Sequence, residues 1–127
     1  MTHGRACLLH NRDWARVNLK PRRYVGCRVD VAGNMYLLQV MDGYVEYNTN
    51  LDPNGSHEWD VFALGYADNP PSIPNDTYVR IKGTITAASS GYSTLSGAFL
   101  GYVPQVRVSV IRRISAKAAL ALGMPAR

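Results

Sequence analysis

The sequence predicts an all-β fold: a five-stranded, partly open Greek-key barrel with a short helix at each end. Three observations lead there. Apolar residues recur with a period of two in several short runs, the runs are separated by Gly- and Pro-containing turns, and the chain has the size of one core. Its 127 residues and 14.0 kDa are enough to bury roughly two-thirds of the unfolded surface. With 46% hydrophobic and 18% charged residues, it is too apolar for a disordered chain. Residues 1–10 are expected to form a flexible tail and residues 11–127 a single domain.

The elements are taken in chain order. In "NRDWARVNLKPRRY", Asn11 or Asp13 can cap a helix that carries Trp14, Val17 and Leu19 until Pro21 interrupts it, and Gly26 ends the segment. From Cys27 the period becomes two. Cys27, Val29, Val31 and Gly33 fall on one face and Arg28, Asp30, Ala32 and Asn34 on the other. This first strand continues through "MYLLQV". There the successive Leu37 and Leu38 break the alternation, and the isolated Gly33 allows a bend or bulge. A second strand fits "GYVEYN", and "LDPNGSH" supplies a turn through Pro53 and Asn54-Gly55. The third, "EWDVFALGY", is apolar on both parities, so both faces should be covered. "ADNPPSIPND" is a stiff connector that can be neither helix nor inner strand.

The fourth strand, "DTYVRIKGTI", turns Val79, Ile81, Gly83 and Ile85 inward and Tyr78, Arg80, Lys82 and Thr84 outward. A Ser/Gly-rich loop, "SSGYSTLSGAFLGY", leads to the fifth, "VPQVRVSVIRRI", in which Val106, Val108 and Val110 share a face. "SAKAALALG" closes as a short helix between a Ser115 cap and a Gly123 stop. The expected core is Val29, Val31, Val61, Val79, Ile81, Ile85, Val106 and Val108.

No apolar run approaches the roughly 20 residues needed to span a bilayer, and the first residues lack a secretory apolar stretch. The expectation is a cytoplasmic protein that does not enter the membrane. Cys7 and Cys27 are too few for a disulfide framework and are expected as free thiols, one in the frayed end and one buried.

Five short strands with glycine-marked bends match the OB architecture. "NLKPRRYVGCRVDVAG", Asn18 to Gly33, resembles the N-P-x-x-Y-x-G-x-x-V-x-V/F-x-G entry to the first strand of bacterial OB-fold domains in the tRNA-anticodon-binding-like family. "DTYVRIKGTI" is similar to that family's fourth strand and "LSGAFLGYVPQVRV" to its approach to the fifth. The resemblance covers Asp13 to Ile114, with Leu19 and Lys20 inserted before Pro21. It implies that the fifth strand lies between the third and fourth and that the fourth pairs with the first. Its motifs are structural glycines and strand residues, so it implies a fold and no common chemistry.

Catalysis finds no support in the residues. "GYSTL" matches only half of a nucleophile elbow, with Leu95 where a second Gly belongs, and no nucleophile, base and orienting group come together. A small hydrolase is therefore disfavoured, and no catalytic residue or cofactor is assigned. His3, Cys7 and His10 have compact spacing but no fourth ligand, and Asp52, Asn54 and Ser56 are explained as a turn, so no metal site is assigned.

Charge is unevenly spread. Residues 1–28, 29–79 and 80–127 carry net +6, −8 and +7, which gives +5 overall. Nucleic acid on an OB barrel usually lies across the second and third strands. Here Asp42, Glu46, Asp52, Glu58 and Asp60 would repel phosphate there, including from a stacking surface at Tyr44 and Tyr47. Much of the segregation can instead be cross-strand pairing, with Arg107 facing Glu58 or Asp60. The remaining positive surface would gather at Arg28, Arg80 and Lys82. Tyr92, Phe99 and Tyr102 lie in or beside the Ser/Gly-rich loop. Aromatics there can pack over the barrel end or contact bases or protein; the expectation is packing for Phe99 and contact for Tyr92 and Tyr102. The candidate binding set is thus Arg28, Arg80, Lys82, Tyr92, Tyr102 and Arg107. The preferred reading is a non-enzymatic module that binds a protein partner or another copy of itself. The alternative is a weak single-stranded nucleic-acid binder that uses the basic face.

Overall fold

The computed structural model describes residues 7–40, 43–51, 61–66, 73–92 and 99–124. Its strands in chain order are β1 (Leu8–Leu9), β2 (Arg28–Val40), β3 (Tyr44–Asn50), β4 (Val61–Tyr66), β5 (Thr77–Tyr92) and β6 (Phe99–Arg113). Two helices flank them, α1 (Trp14–Leu19) and α2 (Ala116–Ala121), with 3-10 turns at Asn11–Asp13 and Pro21–Tyr24. The sheet order is β1-β2-β3-β4-β6-β5, and β5 pairs back onto β2, so β2 to β6 form a ring. Within the ring β4 and β6 run parallel and the other pairs antiparallel. This is the OB-like barrel, with the fifth barrel strand between the third and fourth as the resemblance implies.

The inward parity is the expected one. Val29, Val31, Val79, Ile81, Ile85 and Val106 are buried, joined by Met35, Val45, Tyr47 and Leu51, and Val108 packs partly against them. The side chain of Val61 lies outside the described residues. Trp14 and Val17 from α1 belong to the same cluster, whereas Leu19, expected beside them, is 81% exposed. Each fully buried Val or Ile contributes roughly 1.5–3 kcal/mol relative to exposure, so this cluster dominates the stability.

Closing so small a ring requires bends at defined places. Strand β2 pairs with β5 over Arg28–Met35 and with β3 over Asn34–Val40, with a register shift between Met35 and Leu37. The backbone groups freed there are satisfied by the residues that lead into β5. Asp76 N–H donates to the Met35 carbonyl at 2.7 Å, and Leu38 N–H donates to Asn75 Oδ1 at 3.2 Å. At Gly33 a Cβ would meet Thr49 Cγ2 at 2.5 Å and the Asn50 carbonyl oxygen at 2.7 Å. Only glycine lets β2 and the end of β3 come this close.

The β5–β6 ladder shifts register at three places, two of them bulges in the wall beside the core. Thr86 is an extra residue on β5 between the pairs Ile85–Val106 and Ala87–Gln105, and Ser109 is extra on β6 between Gly83–Val108 and Lys82–Val110. Each hydroxyl donates to a carbonyl of the opposite strand, Thr86 to Gln105 at 3.4 Å and Ser109 to Lys82 at 3.0 Å. The bulge at Ser109 corrects one expectation. Val110 no longer shares the face of Val106 and Val108; it is exposed, and Ile111 packs inward in its place.

The N-terminal segment also departs from expectation. From Cys7 onward it lies along β2 rather than hanging free: β1 pairs in parallel with Arg28 and Val29, and Arg28 N–H donates to the Cys7 carbonyl at 3.1 Å. Cys7 and Cys27 are joined in a disulfide, not free thiols, with Cα atoms 5.1 Å apart. A two-cysteine count carries no sign of this because the bond depends on the arm returning to the start of β2. At the other end α2 is capped by Ser115, whose side chain accepts from Ala118 N–H at 3.0 Å, and stops at Gly123 in the left-handed region. Ala119 and Met124 cover Ala32, so the expected outward position of Ala32 is buried under the helix.

This packing leads to two stability outcomes. A Cβ at Gly83 would run into the backbone carbonyl of Arg107 and the side chain of Val106, so Gly83→Val should lower stability by about 1–3 kcal/mol or more through overpacking. An unchanged urea midpoint would contradict this close packing. Reducing the disulfide, or Cys7→Ser with Cys27→Ser, opens a loop of 20 residues. That should cost about 3 kcal/mol in the chain-entropy account, measured by urea unfolding with and without reductant.

Candidate binding surface

The outer side of β2, β5 and β6 carries the basic residues in register. Because Val29, Ile81, Ile85 and Val106 point inward, the residues between them point out. Arg28 is paired with Thr84, and Thr84 with Arg107. The next row is Asp30, Lys82 and Val110, and the one after is Ala32, Arg80 and Arg112. Arg28, Lys82, Arg107 and Arg112 are exposed, and Thr84 is half-buried. The Pro21–Tyr24 turn packs against β5 and β6 near the first row, where Gly26 N–H donates to the Ile85 carbonyl at 2.7 Å. It adds the exposed Arg22 and Arg23 to this end of the barrel.

Asp30 is the acidic member of these rows, and Arg80 occupies it fully. Arg80 Nε donates to Oδ1 at 2.9 Å and an Arg80 terminal nitrogen to Oδ2 at 2.8 Å, a two-pronged pair between half-buried side chains. The Arg80 hydrogen bond holds the Asp30 carboxyl below the usual carboxylate range, against the opposing effect of burial. Arg80 is therefore a structural cation, which corrects its place in the candidate binding set. Cross-strand pairing does account for part of the charge segregation, through this pair. The proposed partners of Arg107, Glu58 and Asp60, lie outside the described residues.

The face that usually binds ligands in OB barrels looks different. Tyr47 is 1% exposed and belongs to the core, so it offers no ring for stacking; Tyr44 is 37% exposed. Three residues apart on a strand, they point to opposite sides. Glu46 lies between them, and burial pushes its carboxyl above the usual range while a hydrogen bond from Asn48 partly offsets this. Asn48 is 3% exposed, and its Oδ1 has no partner. A face with a half-buried carboxyl and an orphan amide oxygen accepts hydrogen bonds; it does not attract phosphate.

The remaining candidates separate. Tyr92 and Tyr102 do not sit in a loop: the Ser/Gly-rich segment continues β5 to Tyr92 and resumes as β6 at Phe99, with the Tyr92 backbone opposite Phe99 and that of Ser90 opposite Tyr102. Gly91 and Tyr92 of the half-matched elbow are thus in a strand, and residues 93–98 lie outside the described residues. Cys7, bound to Cys27, cannot be a thiolate ligand, and His10 Nδ1 lies 3.2 Å from the Asp30 carbonyl oxygen. Among the described residues no group of three or more His, Cys, Asp or Glu side chains is placed to hold a metal, and no helix is long and apolar enough to cross a membrane. Sequence reasoning turned Thr84 outward but left it out of the binding set, and it missed Arg112, whose place on the basic face depends on the β5–β6 register.

No protein-family model and no curated protein sequence matches the chain. Solved structures do match in fold. One is the crystal structure of "a putative aspartyl-tRNA synthetase from Leishmania major Friedlin", at a TM-score of 0.55 and 12% identity over 91% of this chain. The chain spans 22% of the length of that protein. The likeness shows the fold.

The Asp30–Arg80 pair has a pH signature. A carboxyl whose folded pKa is depressed adds stability that is present above its unfolded value, near 3.8, and lost as pH falls through the folded one. Asp30→Asn should therefore lower stability at neutral pH by about 1–2 kcal/mol and flatten the decline below pH 4. Urea midpoints across that range, for the wild type and the variant, would test it; parallel acid profiles would count against the pair.

Proposed function

We propose that this chain is a non-enzymatic recognition module that binds an acidic segment of a protein partner across the outer face of β2, β5 and β6. The carrying observation is a set of exposed cations: Arg28, Lys82 and Arg112 stand in adjacent rows of this face, with Asp30 held through both oxygens by Arg80. A three-strand cationic surface of this kind attracts a complementary negative surface and sets its orientation. The outward positions beside Arg28, Lys82 and Arg107 are Asp30, Thr84 and Val110. None of these three is aromatic, so among the described residues the centre of the face offers no ring on which single-stranded bases stack.

The disulfide supports the same reading. Such bonds persist in oxidising compartments and are rare in the cytosol, so the Cys7–Cys27 bond argues against the cytoplasmic location expected from the sequence. The likeness to a protein named as a tRNA synthetase supports a second reading, a single-stranded nucleic acid held on the same face by its backbone charge.

One titration distinguishes the two. A labelled glutamate-rich peptide should bind at physiological salt, weaken as salt rises, and be lost in the double variant Arg28→Glu with Lys82→Glu at an unchanged unfolding midpoint. Submicromolar binding of a labelled oligothymidylate, with none of the peptide, would replace the first reading by the second. Mass by light scattering in the same samples identifies self-association as the outcome if the chain pairs with itself.

A further inference from the structure

We propose that the Cys7–Cys27 bond is a redox clasp: a dithiol reductant opens it at Cys7, the arm from Cys7 to His10 comes away, and the edge of β2 at Arg28 and Asp30 is uncovered while the barrel stays closed. This goes beyond the recognition surface, and neither its success nor its failure bears on that reading.

The arm is an addition to the ring rather than a member of it. β2 to β6 close on one another through the pairing of β5 with β2, and β3 reaches β2 only from Asn34 onward. What remains is the stretch of β2 before Asn34, on the edge away from β5. Along it the backbone groups of alternate residues face the arm. Arg28 N–H donates to the Cys7 carbonyl at 3.1 Å, the Asp30 carbonyl oxygen lies 3.2 Å from His10 Nδ1, and Ala32 is bonded through N–H and C=O to the Asn11 side chain. The intervening Val29 and Val31 stand opposite Gly83 and Ile81, and their backbone groups turn to β5. One edge of β2 thus belongs to the arm and the other to the barrel, residue by residue.

Apart from the disulfide, the arm is held weakly. β1 is a parallel pairing of two residues, Leu8 is 45% exposed, and Leu9 is the leucine that it buries. Fixing the backbone from Cys7 to His10 costs conformational entropy at least comparable to what one buried leucine returns. The covalent bond therefore decides whether the arm stays. Beyond His10 the chain is anchored independently, Asn11 by its two bonds to Ala32 and Trp14 by burial in the core, so the release ends there.

The two sulfurs are unequally placed. Cys27 is 1% exposed inside the core cluster, whereas Cys7 is half-buried at its margin. An incoming thiolate therefore meets Cys7 Sγ. A bond forms between the reductant sulfur and Cys7, the Cys7–Cys27 bond breaks, and Cys27 leaves as a thiolate that takes up a proton. The second thiolate of the dithiol attacks its own first sulfur in the mixed disulfide, and Cys7 is released and protonated in turn. The dithiol ends as its cyclic disulfide and the protein as two thiols. Cys27 stays in the core as a neutral thiol, which packs as a small apolar group, so the inner face of β2 is unchanged.

The test adds dithiothreitol to the folded full chain. Reduction should reach completion without denaturant, and a thiol-alkylating reagent should then modify Cys7 and leave Cys27 untouched until the barrel is unfolded, read by peptide mass. Amide hydrogen exchange, resolved by NMR, should quicken at least about tenfold at Arg28 and stay within about twofold of the oxidised protein at Val29, Val31 and Ala32, the signature of a local opening. Cys7→Ser, which retains the Cys27 thiol, should show the reduced pattern with and without the dithiol. Reduction that waits for the urea concentrations that unfold the chain would overturn the clasp, and so would unchanged exchange at Arg28. A rise at Val29 and Val31 in step with Arg28, or a Cys7→Ser chain that does not fold, would overturn it too, because the bond would then support the barrel itself.

Discussion

Every other feature of this barrel depends on how the backbone of β2 is satisfied on both edges. A buried strand cannot leave N–H and C=O groups unpaired, and β2 is too long for any one neighbour to cover. β5 takes one edge over Arg28–Met35 and β3 the other over Asn34–Val40. The first half of the β3-side edge is left to the N-terminal arm. Cys7 O accepts from Arg28 N–H, β1 pairs at Arg28 and Val29, and the Asn11 side chain donates to Ala32 O at 2.7 Å and accepts from Ala32 N–H at 2.8 Å. Asn11 completes the ladder as a side-chain substitute for a strand residue. The disulfide fastens the arm at the point where this ladder begins.

That constraint also orients the basic face. Once β2 is held from both sides, the register of β5 on β2 is fixed, and the bulges at Thr86 and Ser109 fix β6 on β5. Each bulge shifts the parity of the residues beyond it, so Arg107 lies outward beside Thr84, and Arg112 lies outward beside Arg80 although the two arginines are five residues apart. Without the extra residue at Ser109, Arg112 would fall on the inner parity. The bulge converts what would be a buried charge into part of a surface row.

The sequence makes the barrel legible wherever burial repeats every second residue, as in Val29-Val31 and Val79-Ile81. The helix caps at Ser115 and Gly123 are legible because the chemistry of a helix end is local. The features that escape a reading of the sequence are non-local. A bulge made by a threonine or serine looks like ordinary alternation until the partner strand is known, so simple alternation puts Val110 on the wrong face. Ala32 alternates as an outward residue, and only the return of α2 buries it. The disulfide needs the arm to double back. Tyr47 is a different case: its odd spacing from Tyr44 already places the two rings on opposite sides of the strand, and the alternation itself could have assigned it to the core.

The charge blocks of the sequence take on a different meaning in the structure. A basic segment, an acidic one and another basic one suggest long-range pairing, and one such pair is present. Asp30 opens the acidic block and Arg80 opens the second basic block, and their bond joins β2 to β5 across the closure of the ring. Because Arg80 reaches diagonally past Lys82, it takes the carboxylate that stands opposite Lys82 in the register. One arginine is used in the fold, and the carboxylate it holds is also attracted to the neighbouring Lys82. The pair thus ties β2 to β5 at the closure of the ring, while Lys82 beside it and the arginines of the neighbouring rows stay exposed on the same face.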